Sequence, residues 1–316
     1  MRANLRYAVA VLALLALASA APAATPARRA PPAPKQQLDF SLYQELLTQH
    51  VWTVSEPGSP LETRFNYEGF HDEKGRAERT FHIRKQFLSV DPTGLDVKNR
   101  RAWAINFYNF MVIENITDNL LIPGKKRQRY LSVRDIKLGG EDFFKHKVVK
   151  IDTVRYSLDD FEKHFLFDDF DRKPGATPPA TLDPRIHFAV VCGAIGCPPL
   201  QPRAFRADSL AHHLDSATRQ ALAHPAHLIF TPGINNVRLS ALFFWYGADF
   251  GGTPAAAGWA AKYLDKERRA ELEKIKDRAQ TAQINWDWKL NQVIGWRFHY
   301  QMDKPMPGGA AARDTS

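Results

Sequence analysis

Apolar residues run almost without interruption over residues 101–116 (RAWAINFYNFMVIENI), a pattern that predicts a helix buried on every side. Asn106 and Asn109 sit three apart, on one face of that helix. A buried amide without a partner costs about 1–3 kcal/mol, so both must find one. Either they tie loop backbone to the core, or one orients a catalytic imidazole, as the amide does in Cys-His-Asn sites. Elsewhere the patterns are more modest. Leu42, Leu46 and Leu47 have helical spacing, residues 72–88 read as a mixed, charged helix, and Asp91-Pro92-Thr93-Gly94 reads as a turn. VVKIDTVRYS, between Lys145 and Tyr156, predicts a strand pair, and Ser157 with Asp160 predicts a capping box opening the helix SLDDFEKHFL. Phe161, His164 and Phe165 form the apolar face of that helix, with Glu162 turned away.

After a Pro-rich loop over 171–184, Leu210, Leu214, Ala217 and Ala221 mark an amphipathic helix with His212 and His213 at its surface. Strands are predicted at Leu228–Thr231 and Asn236–Leu239 around Pro232-Gly233, then the helix SALFFWYGADF, ended by Gly251-Gly252. Two further helices fit 256–264 and 266–276. In the closing INWDWKLN, Trp286 and Trp288 share a face if the segment is extended.

Residues 183–200 (DPRIHFAVVCGAIGCPPL) hold an apolar run, a Gly-punctuated loop and both cysteines of the chain. The β-branched and aromatic run from Ile186 predicts a buried central strand. Gly193 and Gly196 let the backbone turn, and Pro198 and Pro199 stop any continuation. In a regular strand His187 and Cys192 face opposite sides, which leaves Cys197, past the turn, as the better partner for His187.

The first residues change the address. Met1, Arg2 and Arg6 precede an apolar stretch, and Ala18-Ser19-Ala20 and Ala21-Pro22-Ala23 fit small-residue cleavage sites, so residues 1–23 read as a secretory signal. Residues 24–37 are an Ala/Pro-rich linker, 38–300 a single globular domain and 301–316 a flexible tail. Expected localisation is secreted or periplasmic, with no integral membrane segment after cleavage. The formal charge of +9 falls to +7 without Arg2 and Arg6. A basic surface suits contact with anionic surfaces, but the sharpest cluster, Lys125-Lys126-Arg127-Gln128-Arg129, lacks interleaved aromatics and reads as a solvated loop rather than a nucleic-acid site. GxSxG, HExxH, phosphate-loop and dinucleotide motifs are all missing, and no cofactor is expected.

Several segments together resemble the domain-of-unknown-function 547 family: RAWAINFYNFMVI, RYSLDDFE, DPRIHFAVVCGAIGCPPL, LSALFFWYGADFGG and INWDWKLN, in that order over about 38–291. The resemblance implies no established reaction. It implies matching positions at Asn106, Tyr108, Asn109, Glu162, His187, Cys192 and Cys197. It also implies two departures, since Glu114 and Lys163 stand where similar members carry His, with His164 displaced by one.

Four readings of the cysteines compete. They form a disulfide, permitted in an oxidising compartment. Or Cys197 is a nucleophile with His187 as base and Glu162 or Asn106 orienting it. Or both are packed, inert thiols. The last is a metal site, for which HxxxxCxxxxC supplies only three ligands at untypical spacing, so none is expected. Candidate catalytic residues are therefore Cys197, His187, Glu162 and Asn106, with Tyr108 and Asn109 supporting and Cys192 as second thiol or disulfide partner. The expected fold is α+β, a small mixed or antiparallel central sheet around residues 186–192 surrounded by helices. The leading functional expectation is a thiol-dependent hydrolase or transferase of peptide or acyl groups; the alternative is a non-catalytic binding or scaffold protein with a structural disulfide.

Overall fold

In a computed structural model, residues 38–167, 182–277 and 279–293 are described. The expected signal (1–23), linker (24–37), tail (301–316) and most of the 171–184 loop lie outside them. Helix α1 (Ser41–His50) runs into a hairpin of β1 (Val51–Thr53) and β2 (Thr63–Phe65), followed by α2 (Tyr67–His71) and α3 (Arg76–Leu88). Helix α4 (Val97–Asp118) comes next, then the hairpins β3 (Lys137–Leu138) with β4 (Glu141–Asp142) and β5 (Lys147–Ile151) with β6 (Val154–Ser157). A short α5 (Leu158–Phe161) passes into a π-helical turn, Glu162–Leu166. The remaining elements are α6 (Leu210–Ala223), β7 (Leu228–Thr231), β8 (Asn236–Leu239), α7 (Leu242–Trp245), α8 (Thr253–Ala261), α9 (Lys266–Glu273) and β9 (Gln280–Gln283).

Helix α4 is the axis, as its composition requires. Every residue from Ala102 to Glu114 is buried. Asp96 starts the helix by accepting the Asn99 N–H at 2.9 Å, which meets one of the donors a helix leaves unpaired at its beginning. Against it pack Phe87 of α3, stacked on Phe107 at 4.7 Å, and Phe161 of α5, edge-on to Phe107 at 5.6 Å. A second apolar cluster gathers Phe188, Phe243, Phe250 and Trp259 with the small residues of α8. The capping box predicted at Ser157 and Asp160 is present in both directions.

The class is α+β with small sheets, the largest a mixed three-stranded one in which β7 and β8 are antiparallel and β8 and β9 parallel. One expectation fails. Residues 186–192 are not a strand: Pro184–Phe188 form a 3-10 turn and the chain then runs irregularly to Cys192. The run is apolar because it is wedged between the two clusters, with Ile186 buried in the α4 cluster and Phe188 in the other. Its backbone is satisfied without a sheet. Asn109 donates to the Ala189 carbonyl and accepts the Val191 N–H, both at 2.9 Å, so one side chain replaces a neighbouring strand.

Candidate functional site

The turn after this run shows why it needs glycine. Gly193 has φ of +79°, and a Cβ there would overlap Ile116 of α4. A Cβ on Gly196 would come within 2.8 Å of the Trp286 ring. Across this turn lies the segment 286–293. Ile195 N–H donates to Lys289 O at 2.8 Å, Gly196 N–H to Asp287 O at 2.9 Å and Asn291 N–H to Gly193 O at 2.8 Å. That extended docking turns Trp286 and Trp288 to the same side, as their spacing predicts, and both line a cavity of about 270 Å³.

The cavity collects most of the singled-out residues. Tyr108, Glu162, His187, Cys192 and Cys197 line it, together with Asp159, Trp245 and Tyr246. Because the strand is absent, the face-alternation argument that set Cys192 opposite His187 falls, and both reach the same space. Cys192 and Cys197 are joined as a disulfide with Cα atoms 6.4 Å apart, within the usual range for such a bridge. The Cys192 N–H points at the Cys197 Sγ, 3.1 Å away.

His187 is almost fully buried, and its Nε2 lies 2.8 Å from Asp249 Oδ2. Rings of Tyr246 and Phe167 lie 4.1 and 4.4 Å from the imidazole, which fixes its plane. Asp249, on the turn after α7, holds the imidazole Nε2, a partner the sequence reading did not name. In sequence Asp249 was legible only as part of the GADF end of a helix.

Glu162 opens the π-helical turn, an irregularity that recurs at functional sites. It accepts the Tyr246 hydroxyl at 2.7 Å and is hydrogen-bonded to Tyr108. Burial, and then the Glu162 charge, push both phenols well above the usual tyrosine value, so they are hydrogen-bond donors at any ordinary pH. Burial also raises the Asp159 carboxyl, with Lys163 opposing that rise from the exposed side.

Asn106 takes no part in the cavity. Its amide donates to Phe205 O at 2.8 Å and accepts Phe205 N–H at 2.9 Å, pinning the chain before α6. Of the two uses weighed for the asparagines, backbone anchoring is the one both display. The two departures from the family pattern also lie off the cavity lining. Glu114 is buried against the Arg84 guanidinium, with Nε to Oε1 at 2.9 Å, and burial raises its carboxyl despite that partner. Lys163 is exposed. Among the described residues, no three His, Cys, Asp or Glu side chains converge as a metal site.

Residues 92–221 match the family model described as "Protein of unknown function, DUF547", so over that segment the chain resembles this family. The matched part is narrower than the 38–291 read from the sequence. It carries α4, Glu162, His187 and both cysteines, while Asp249 and the tryptophans of the cavity lie beyond it. No curated protein and no solved structure matches the chain. The family description assigns no function.

Proposed function

We propose that the protein is a non-catalytic binding protein of an oxidising compartment, whose cavity takes a small molecule and whose Cys192–Cys197 disulfide is structural. The observation that carries this reading is the closed disulfide in the cavity wall: among the described residues no cysteine is left as a thiol. The aromatic lining with a few convergent polar groups is the usual make-up of a ligand pocket. Secretion is supported by the disulfide and by the basic, apolar and small-residue succession of residues 1–23. No helix among the described residues is long and apolar enough to cross a membrane.

A specific observation favours one second reading, a thiol hydrolase unmasked by a reducing dithiol. Cys197 and His187 share the cavity, Asp249 holds the imidazole, and the Cys192 N–H would stabilise a Cys197 thiolate. In that scheme the dithiol is oxidised to its own disulfide as the protein pair is reduced. The Cys197 thiolate then forms an S–C bond to an acyl carbon, and the leaving group departs with a proton from His187. Water, deprotonated by His187, releases the acid and restores Cys197.

Two measurements decide. With the oxidised protein, tryptophan fluorescence should respond saturably to a small cationic, neutral or anionic probe, and Val190→Trp, which fills the cavity, should remove the response. With the reduced protein, p-nitrophenyl acetate turnover should not exceed that of Cys197→Ser. A flat response across the three probe charges sinks the pocket, whereas turnover lost in both Cys197→Ser and His187→Ala installs the hydrolase.

A further inference from the structure

Cys197 also lines a second, smaller cavity of about 50 Å³, whose other walls include Thr63, Glu62, Arg64, His227 and Asn291. Two of these side chains are more than nine-tenths buried and carry a polar atom that no protein group meets among the described residues: His227 Nδ1 and Asn291 Oδ1. Both atoms ask for the same thing. Burial lowers His227 to about 3, so its imidazole is neutral and has a single N–H. That N–H, on Nε2, goes to the Cys197 backbone, and the carbonyl is its acceptor because the Cys197 N–H is already given to Ala194 O at 3.1 Å. Nδ1 is therefore an acceptor, as is the amide oxygen of Asn291. Buried acceptors without a donor are costly, and two that share one small cavity call for a donor with two hydrogens.

We propose that this cavity is the site of one ordered water, which donates to His227 Nδ1 and to Asn291 Oδ1 and so ties the disulfide turn from behind. Roughly 10–15 Å³ and at least two polar partners suffice for a water, whereas organic ligands take roughly 300 Å³ or more. A space of about 50 Å³ suits the water alone. The water closes a ring. Asn291 N–H donates to Gly193 O at 2.8 Å, next to Cys192, and His227 holds the backbone of Cys197. Both ends of the loop 192–197 are thus gripped by the two residues that share the water, whatever the larger cavity binds.

The test uses the oxidised full chain. A crystal structure at a resolution that shows waters should place one within hydrogen-bonding distance of both atoms, and imidazole nitrogen shifts should report His227 with its proton on Nε2 and a hydrogen-bonded Nδ1. Magnetic relaxation dispersion of water oxygen counts long-lived internal waters. Asn291→Leu, which keeps the shape of the side chain and removes its acceptor, should lower that count by one. Reduction of the bridge by dithiothreitol should be about fivefold faster in the same variant, the change expected for one lost hydrogen bond. A crystal structure with no water there, or with His227 and Asn291 bonded directly to each other, overturns the proposal, as does an unaltered water count in folded Asn291→Leu. Density that appears only in crystals grown with an ammonium salt belongs to that cation and overturns it too. An unchanged reduction rate overturns the tie to the disulfide turn while the water stands.

Discussion

Two sets of buried polar side chains sit a few turns apart in this molecule, and they are wired in opposite ways. Asn106 and Asn109 on α4 each engage backbone with both amide atoms, at Phe205 and at Ala189 and Val191. His187, Asp249, Glu162, Tyr108 and Tyr246 engage one another, around an open cavity. The first set is neutral and saturated by main chain, so it can only hold the fold. The second is made of ionisable groups whose partners are also ionisable, so its hydrogen bonds can be rearranged by a ligand or a proton. Buried polarity therefore has two uses here, and the identity of the partner tells them apart.

Removing an anchor should have the largest effect. Asn109→Ala leaves the Ala189 carbonyl and the Val191 N–H buried and unpaired, at about 1–3 kcal/mol each. A urea midpoint lowered by less than the equivalent of about 1 kcal/mol would erase the distinction between the sets. Next comes the bridge between them. Replacing both cysteines by serine opens a short loop, and the chain-entropy relation gives a loss of about 2 kcal/mol, read as the midpoint difference between variant and oxidised wild type.

Between pH 7 and 5, proton linkage should be of similar or slightly smaller size. Burial, and then the neighbouring His224, lower His227 to about 3, and it lies fully buried behind the disulfide turn. The folded state keeps this imidazole neutral while the unfolded chain takes up a proton below about 6.5. Stability is thus complete above that pH and falls as pH drops from 6.5 towards 3, by up to about 1.4 kcal/mol per pH unit. His50, His213 and His224 are lowered by burial as well and act in the same direction. His227→Asn should flatten the slope of stability between pH 7 and 5, and an unchanged slope would count against this assignment. The smallest effect on stability should come from Glu162→Gln, below about 1 kcal/mol, since the amide oxygen still accepts the Tyr246 hydroxyl. A large loss there would make the cavity set structural after all.

Elements with a strong local pattern were readable. α4, the β5–β6 hairpin, the Ser157 cap and the β7–β8 pair all lie where the sequence places them. β9 was missed because QTAQ is polar and mostly exposed, and its parallel pairing with β8 leaves no hydrophobic alternation. The β1–β2 hairpin was missed because a long loop, with no two-residue turn signal, separates its strands. The run at 186–192 was misread for a different reason. Apolar composition reports burial, not the source of the backbone hydrogen bonds, and here that source is an amide on a distant helix. The cavity was partly legible. Glu162, His187 and the cysteines were found, whereas Asp249 depends on a tertiary contact 62 residues away in the chain.

The Asn109 clamp also sets an order of events. Its carbonyl partner lies 80 residues further along the chain, and closing a loop of that length costs on the order of 4 kcal/mol plus a constant before any contact compensates. α4 can nucleate from its own neighbours in sequence, but the run between His187 and Cys192 takes its backbone partners at Ala189 and Val191 from that helix and settles only once the helix is formed. The cavity is thus a late product of folding, and the two thiols should remain open to oxidants and to mispairing with other chains until the helix has captured them.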